Sequence, residues 1–430
     1  MDSYSLHRIA IGDVQEGQES KVENGVLYIN TAELSALIME DRFIKGCEIK
    51  LARPGESKRI VPIKDCLEPR AKMNEDLDIF PGCISDPNYI AGGCDTVVLD
   101  GTCVITSGPL VNFQEGLVDM SGPGAEFCVF SKKLNIVLVM TPADGISKHE
   151  HEQAVRFAGI RAARYLGALG RKVKADKVET YPVINPFAPG AEFPGLPKVL
   201  YVCQVIAQGL LHDNYIYGLN AQGCLPVLLR PTEFFDGAVV SGNCAAPCHK
   251  HSTFHYQNNP IIEDLLSEHG RSINFLGVVA APVRTAFVEK ERMGRQILKI
   301  GQMFGADGVI ISEDGGGNPE ADLMLATRLF EKNGIKVVIV TDEYAGSDGA
   351  SPGLADVTPE ADAVVTNGNG NQRVVLPPMK ETIGVLSTVE RITGGHAGGL
   401  LPDGSVEMEI AGIMGSTNEL GFENLKTISI

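Results

Sequence analysis

The chain has 430 residues, 44% hydrophobic and 21% charged, a globular composition with room for two or three cores. Its formal net charge of −17 argues against nucleic-acid binding and against a polybasic membrane anchor, both of which need basic surface. No apolar run reaches the roughly 18–20 residues of a membrane-spanning helix, and the first eight residues lack a signal-peptide core, so a cytoplasmic protein without a membrane partner is expected.

Residues 1–75 alternate short β-like runs (8–11, 26–29, 49–52 and 59–62) with turns and one helix at 32–39, and predict a small N-terminal α+β module. Residues 71–95, rich in Asp, Pro and Gly, read as a connecting loop. Apolar strands are predicted at 96–99, 103–106 and 134–140. Ser147 and Glu150 then form a capping box, and Val155, Ala158, Ala162, Leu166 and Leu169 recur at helical spacing up to Gly170. The first turn of that helix, His149-Glu150-His151-Glu152, reads as a solvated face. Strands at 198–207, 227–230 and 238–240 complete an α/β domain over 96–243.

Beyond residue 244 the alternation is plainly α/β. Strands at 275–281, 308–312, 336–341 and 363–366 are separated by helices at 286–304 and 321–333, and a last alternating strand covers 405–413. Such spacing predicts βαβ units and a parallel sheet covered on both faces, forming a C-terminal domain over 244–430. The expected fold is therefore α/β, with mixed and parallel sheets and covering helices. No phosphate-binding loop or dinucleotide fingerprint is present; Gly315-Gly316-Gly317-Asn318-Pro319 is only a lookalike, and no nucleotide is expected.

Ligands in open parallel sheets bind outside the carboxyl ends of the strands. Glu313, Asp342, Glu343 and Asn367 stand at three such ends and are candidates for a polar substrate pocket, although helix caps and turns favour the same residue types.

Ten cysteines are irregularly spaced except for Cys244 and Cys248, and read as reduced thiols. The densest chemistry lies at Ser241-Gly242-Asn243-Cys244-Ala245-Ala246-Pro247-Cys248-His249-Lys250-His251. A plain structural loop would explain it. A zinc site drawn from Cys244, Cys248, His249, His251 and His255 is a second reading, but no distant ligand pair accompanies it, and no metal is expected. The third reading is self-cleavage. The Cys244 thiol attacks the Asn243 carbonyl, Gly242 permits a strained backbone, and His249 or His251 assists as base, with Cys248 as a neighbour. Elimination and loss of ammonia then leave a pyruvoyl group at 244.

The chain resembles the precursor subunits of component B of the glycine/sarcosine/betaine reductases of amino-acid-fermenting anaerobes. The likeness is carried by 22–28, 51–57, 113–116, 119–125, 208–213, 241–244, 257–260, 342–346 and 417–422. It implies cleavage at Asn243–Cys244 and a covalent pyruvoyl cofactor derived from Cys244. It implies an oxidoreductase subunit whose keto carbonyl forms a Schiff base with glycine. The partners it implies are a selenocysteine-containing subunit of component B, a small selenoprotein A and an acetyl-phosphate-forming component C. Sarcosine or betaine is an alternative substrate, and betaine's quaternary nitrogen cannot form an imine. A zinc-binding or unprocessed scaffold subunit of a complex is the competing function.

Overall fold

In the computed structural model, residues 3–428 are described except 112–114, 186, 189, 209–212, 243–244 and 422–425. The fold is α/β, with mixed and parallel sheets as expected. Among the described residues, no helix is long and apolar enough to cross a membrane.

The N-terminal half is built on a sheet in which Leu134–Pro142 lies between Ile44–Ala52 and Thr102–Ser107, with Lys58–Leu67 and Gly116–Asp119 beyond. The helix Lys148–Ala168 packs across it, and the predicted capping box of Ser147 and Glu150 is present. Two of its glycines are needed for room. A Cβ on Gly159 would lie 2.6 Å from Thr106 Cγ2, and one on Gly167 would lie 2.3 Å from the Arg70 carbonyl carbon. The first turn is less solvated than its sequence suggests. Glu152 is fully buried, because Lys64 and Arg156 converge on its carboxylate.

The second large sheet has seven strands, in the order Val227–Leu229, Asn274–Pro282, Lys198–Val205, Gly308–Ser312, Lys336–Glu343, Val364–Asn369 and Lys426–Ile428. The five central strands are parallel and the two edges antiparallel. Strand alternation feeds two cores. Leu200 and Val202 face the helices Phe287–Phe304 and Glu320–Lys332 through Ile297, Leu323 and Phe330. Tyr201, Cys203 and Val205 face the helix Pro260–Glu268 through Ile262, Leu265 and Leu266. That short helix escaped the sequence reading, although Asn259 caps it and Pro260 opens it.

Segments before and after residue 243 interleave. Lys198–Val205 sits between Asn274–Pro282 and Gly308–Ser312. In the other direction, Glu381–Gly384 pairs with Lys58–Leu67. The loop expected over 71–95 begins instead with a buried strand, Arg70–Lys72, held where Lys72 meets Asp236.

Gly167→Ala should destabilise the protein by about 1–3 kcal/mol through overpacking. Gly195 has nothing within 4 Å of its Cβ direction, and Gly195→Ala should stay within about 0.5 kcal/mol. Urea unfolding of the two variants checks the contrast.

Candidate functional site

The carboxyl ends of the parallel strands converge on the segment that follows residue 240. A short strand, Val239–Val240, pairs with Tyr215–Ile216 and leads into Ser241 and Gly242. Both are tied down. The Ser241 N–H donates to Thr253 Oγ1 at 3.1 Å, and Thr253 Oγ1 in turn donates to Asp65 at 2.6 Å. The Gly242 N–H donates to Asn214 Oδ1 at 3.1 Å. Asn214 Nδ2 donates to Asp314 Oδ2 at 2.9 Å, and the same oxygen accepts from the Ile206 N–H at 2.7 Å and from the Tyr256 hydroxyl at 3.0 Å. One buried carboxylate oxygen thus positions the chain on the near side of residue 243. Gly242 is required for space, not for a left-handed φ: a Cβ there would lie 2.0 Å from the Asp213 carbonyl oxygen.

Asn243 and Cys244 lie outside the described residues, and His212 does too. On the far side, Pro247 and Cys248 are clamped by a late stretch of chain. The Cys248 N–H donates to Ala411, and the Gly415 and Thr417 N–H groups donate to the carbonyls of Pro247 and Cys248. The Cys248 thiol lies 2.8 Å from the Tyr344 hydroxyl. His249 Nδ1 is 3.5 Å from Asp342, whose carboxylate also accepts from Thr417 Oγ1 at 2.6 Å. His251 is fully buried, 3.5 Å from Glu419 and 3.9 Å from Asp314. His255 caps its own helix with Ser252.

Burial and charge pull these groups apart. Burial lowers the pKa of His249, but the charges of Cys248 and Asp342 outweigh it and raise it well above the ordinary histidine value. Burial, helped by repulsion from His255 and His249, pushes His251 well below that value. Burial also takes His255 down to about 3. The same desolvation raises Asp314 to about 7, and lifts Glu313 and Glu419 well above the carboxylate range.

A cavity of about 540 Å³ opens beside this segment. Ala245, Ala246, His249 and Tyr344 form one wall, and the loop Gly315-Gly316-Gly317 with Glu320 forms another. Glu320 shapes that loop by accepting from the Gly317 N–H at 2.6 Å and the Asp356 N–H at 3.2 Å. The sequence candidates are divided by this geometry. Cys248, His249, His251, Glu313 and Asp342 come together in the interior. None of Glu313, Asp342, Glu343 and Asn367 lines the cavity. Glu313 and Asp342 lie behind its wall, Asn367 donates to the Asn418 carbonyl at 2.6 Å, and Glu343 packs against Gly353. Sequence reasoning passed over Asp314, Tyr344, Asn214, Glu320 and Glu419 as site residues. Asp314 and Tyr344 adjoin residues it did select, which is the signal that was available.

The family described as glycine/sarcosine/betaine reductase component B subunits matches residues 3–428. The chain belongs to this family. It is 48% identical over 417 residues to the glycine reductase complex component B subunits alpha and beta of Peptoclostridium acidaminophilum, covering 97% of each chain. It is 44% identical to the sarcosine reductase complex component B subunit alpha of that organism, over 98% of each. To the betaine reductase complex component B subunit alpha the identity is 34%, over 94% of each. No solved structure matches the chain. Membership makes it a subunit of a reductase component, as the resemblance implied.

Asn214→Ala should cost about 1–3 kcal/mol, since it strands the buried Gly242 N–H. Tyr256→Phe, which removes one of three donors to Asp314, should cost about 1 kcal/mol. Chemical denaturation of both variants measures the difference.

Proposed function

We propose that the chain is the precursor of the substrate-activating subunit of a glycine- or sarcosine-type reductase, cleaved at Asn243–Cys244 to leave a pyruvoyl group at 244. One observation carries this reading. Gly242 and Cys248, on either side of the bond, are each held by buried hydrogen bonds, and Ala245 and Ala246 line the cavity. The name of the glycine-reductase relative supports it, because it counts two subunits, alpha and beta, in one chain of matching length.

The chemistry balances within the chain plus water. Cys244 Sγ attacks the carbonyl carbon of Asn243, the peptide C–N bond breaks, and a thioester with a free amine at 244 forms. Loss of the Cα proton and of the Cβ–Sγ bond leaves a thiocarboxylate on 243 and a dehydroalanine at 244. Its imine tautomer takes up water and releases ammonia, leaving the pyruvoyl group, and a second water converts the thiocarboxylate to carboxylate and hydrogen sulfide. Fixed flanks at Gly242 and Cys248 favour such an intramolecular attack.

A pyruvoyl group supplies an electron-withdrawing keto carbonyl for an amine substrate. The cavity walls then select and orient. His249 and Tyr344 offer polar contacts beside Ala245 and Ala246, and Gln208 and Glu320 lie among the other lining residues. The substrate is an amine that keeps an N–H, glycine or sarcosine, in line with the higher identity to those two relatives than to the betaine one. The partners are a selenocysteine-containing component B subunit, selenoprotein A and component C, and the compartment is the cytoplasm. The electrons come from a dithiol, and the product leaves as acetyl phosphate.

Intact mass under denaturing conditions should show residues 1–243 and 244–430 as separate chains, the second without a free amine and reactive toward hydrazides. Cys244→Ala should abolish cleavage, and Cys248→Ala should leave it in place. A single uncut wild-type chain from native expression would overturn the reading. Because the two segments share sheets, the cut chains should co-elute in native gel filtration and part only in denaturant.

A further inference from the structure

The most unusual feature of the interior is an accumulation of buried polar atoms without hydrogen-bond partners. Both ring nitrogens of His251, Oδ1 of Asp314, both carboxylate oxygens of Glu419 and Oε1 of Glu313 are in this state. All four side chains are 0% exposed. Unsatisfied buried atoms are costly one at a time, and a native protein holds few of them per hundred residues. Here they face one another.

The charges are one-sided as well. The groups acting most strongly on Glu419, after burial itself, are Glu313, His249, Asp342 and Asp314. For Glu313 they are Glu320 and Asp342, opposed by a hydrogen bond from Thr341 and by the charge of His249. No lysine or arginine stands among these leading influences, whereas the carboxylates elsewhere in the interior are paired: Asp119 with Arg59, Glu152 with Lys64, Asp236 with Lys72. In place of a lysine or arginine, the cation acting on this cluster is His249, which Asp342 already engages at 3.5 Å.

We propose that His251, Asp314 and Glu419 bind a first-row divalent metal ion, with Glu313 and Asp342 as the carboxylates on the far side of Glu419. One ligand atom from each of the first three lies within 4.8 Å of the others, and Glu419 also forms such a group with Glu313 and Asp342. Ligands about 2.0–2.2 Å from one tetrahedral ion sit about 3.3–3.6 Å apart, so binding draws the widest pair together by up to about 1.2–1.5 Å. One imidazole with carboxylates is a mixed nitrogen and oxygen set. It suits zinc or manganese and disfavours soft ions, which want thiolates. Cys248 with His249 and Asp342 is the rival group, but its thiol and carboxylate already have Tyr344 and Thr417 as partners.

This proposal departs from the expectation of no metal, which rested on the lack of a distant ligand pair for the 244–255 donors. The fold supplies that pair from 314 and 419. The ion joins the carboxyl end of the Gly308–Ser312 strand, the segment after the cleavage site and the late 415–421 stretch, and it does so in the uncut chain.

The test uses full-length protein purified without chelators, dialysed against Zn2+ or Mn2+ and then exhaustively against metal-free buffer, with metal read by mass spectrometry. About one ion per chain is expected, in Cys244→Ala precursor as in wild type. Glu419→Gln and His251→Ala should lower the retained metal at least about tenfold. Should those variants fail to fold, wild-type protein treated with a strong chelator should lose thermal stability and regain it with Zn2+ or Mn2+. Wild-type protein that holds less than about 0.1 ion per chain after loading overturns the proposal, as do folded variants that retain the wild-type content, and as does a chelator-indifferent melting temperature. Loss of cleavage in Cys244→Ala with metal retained separates this site from the pyruvoyl reading.

Discussion

The organisation of the site depends on one oxygen. Oδ2 of Asp314 accepts from a strand-end amide, an asparagine side chain and a tyrosine hydroxyl, and the asparagine hands its own carbonyl to the Gly242 N–H. A carboxylate buried at the end of a parallel strand costs several kilocalories in desolvation unless donors surround it. The three donors it recruits come from three separate stretches of chain, so the cost of burying the charge and the precision of the backbone at 242 have a common origin. Clamping of Cys248 by 411–417 does for the far side what Asn214 does for the near side.

Much of the fold was legible because its signals are local. The helix after Ser147 announces itself by a capping box and a three–four repeat, and both hold. Phe287–Phe304 is bounded as predicted, with Gly305 left-handed at its end. Sheet order was not legible. Nothing in residues 198–205 says that their neighbours will be 274–282 and 308–312, because pairing is decided by which faces the two flanking cores demand. Short elements such as Arg70–Lys72 and Glu381–Gly384 are too brief for a period and exist only because a longer strand offers them an edge.

For the site, the strand-end carboxylates that the sequence picks out do not line the cavity. Glu313 and Asp342 were chosen because carboxylates at strand ends suit a pocket, and they do gather next to His249. They sit behind the surface, though, while the surface itself is made largely of small and apolar residues, with His249, Gln208, Asn318 and Glu320 set among them. Polar type predicts where chemistry collects, but the shape of a cavity is set by small residues whose role is to leave room. The Gly315–Gly317 loop is the example: it has no dinucleotide spacing, yet it walls the cavity because Glu320 ties its backbone down.

The interleaving of the two segments has a consequence for timing. Under the proposed cleavage, the strand Lys198–Val205 is already threaded between strands from the other side of the cut. An unfolded chain has neither the Asn214 grip on Gly242 nor the clamp on Cys248, so under that proposal scission waits for folding. Scission is then a proofreading step: only a correctly assembled molecule matures, and once it has matured it cannot be rebuilt from its parts as easily as it was first made. Each mature subunit carries, in its missing peptide bond, a record that it once folded as a single chain.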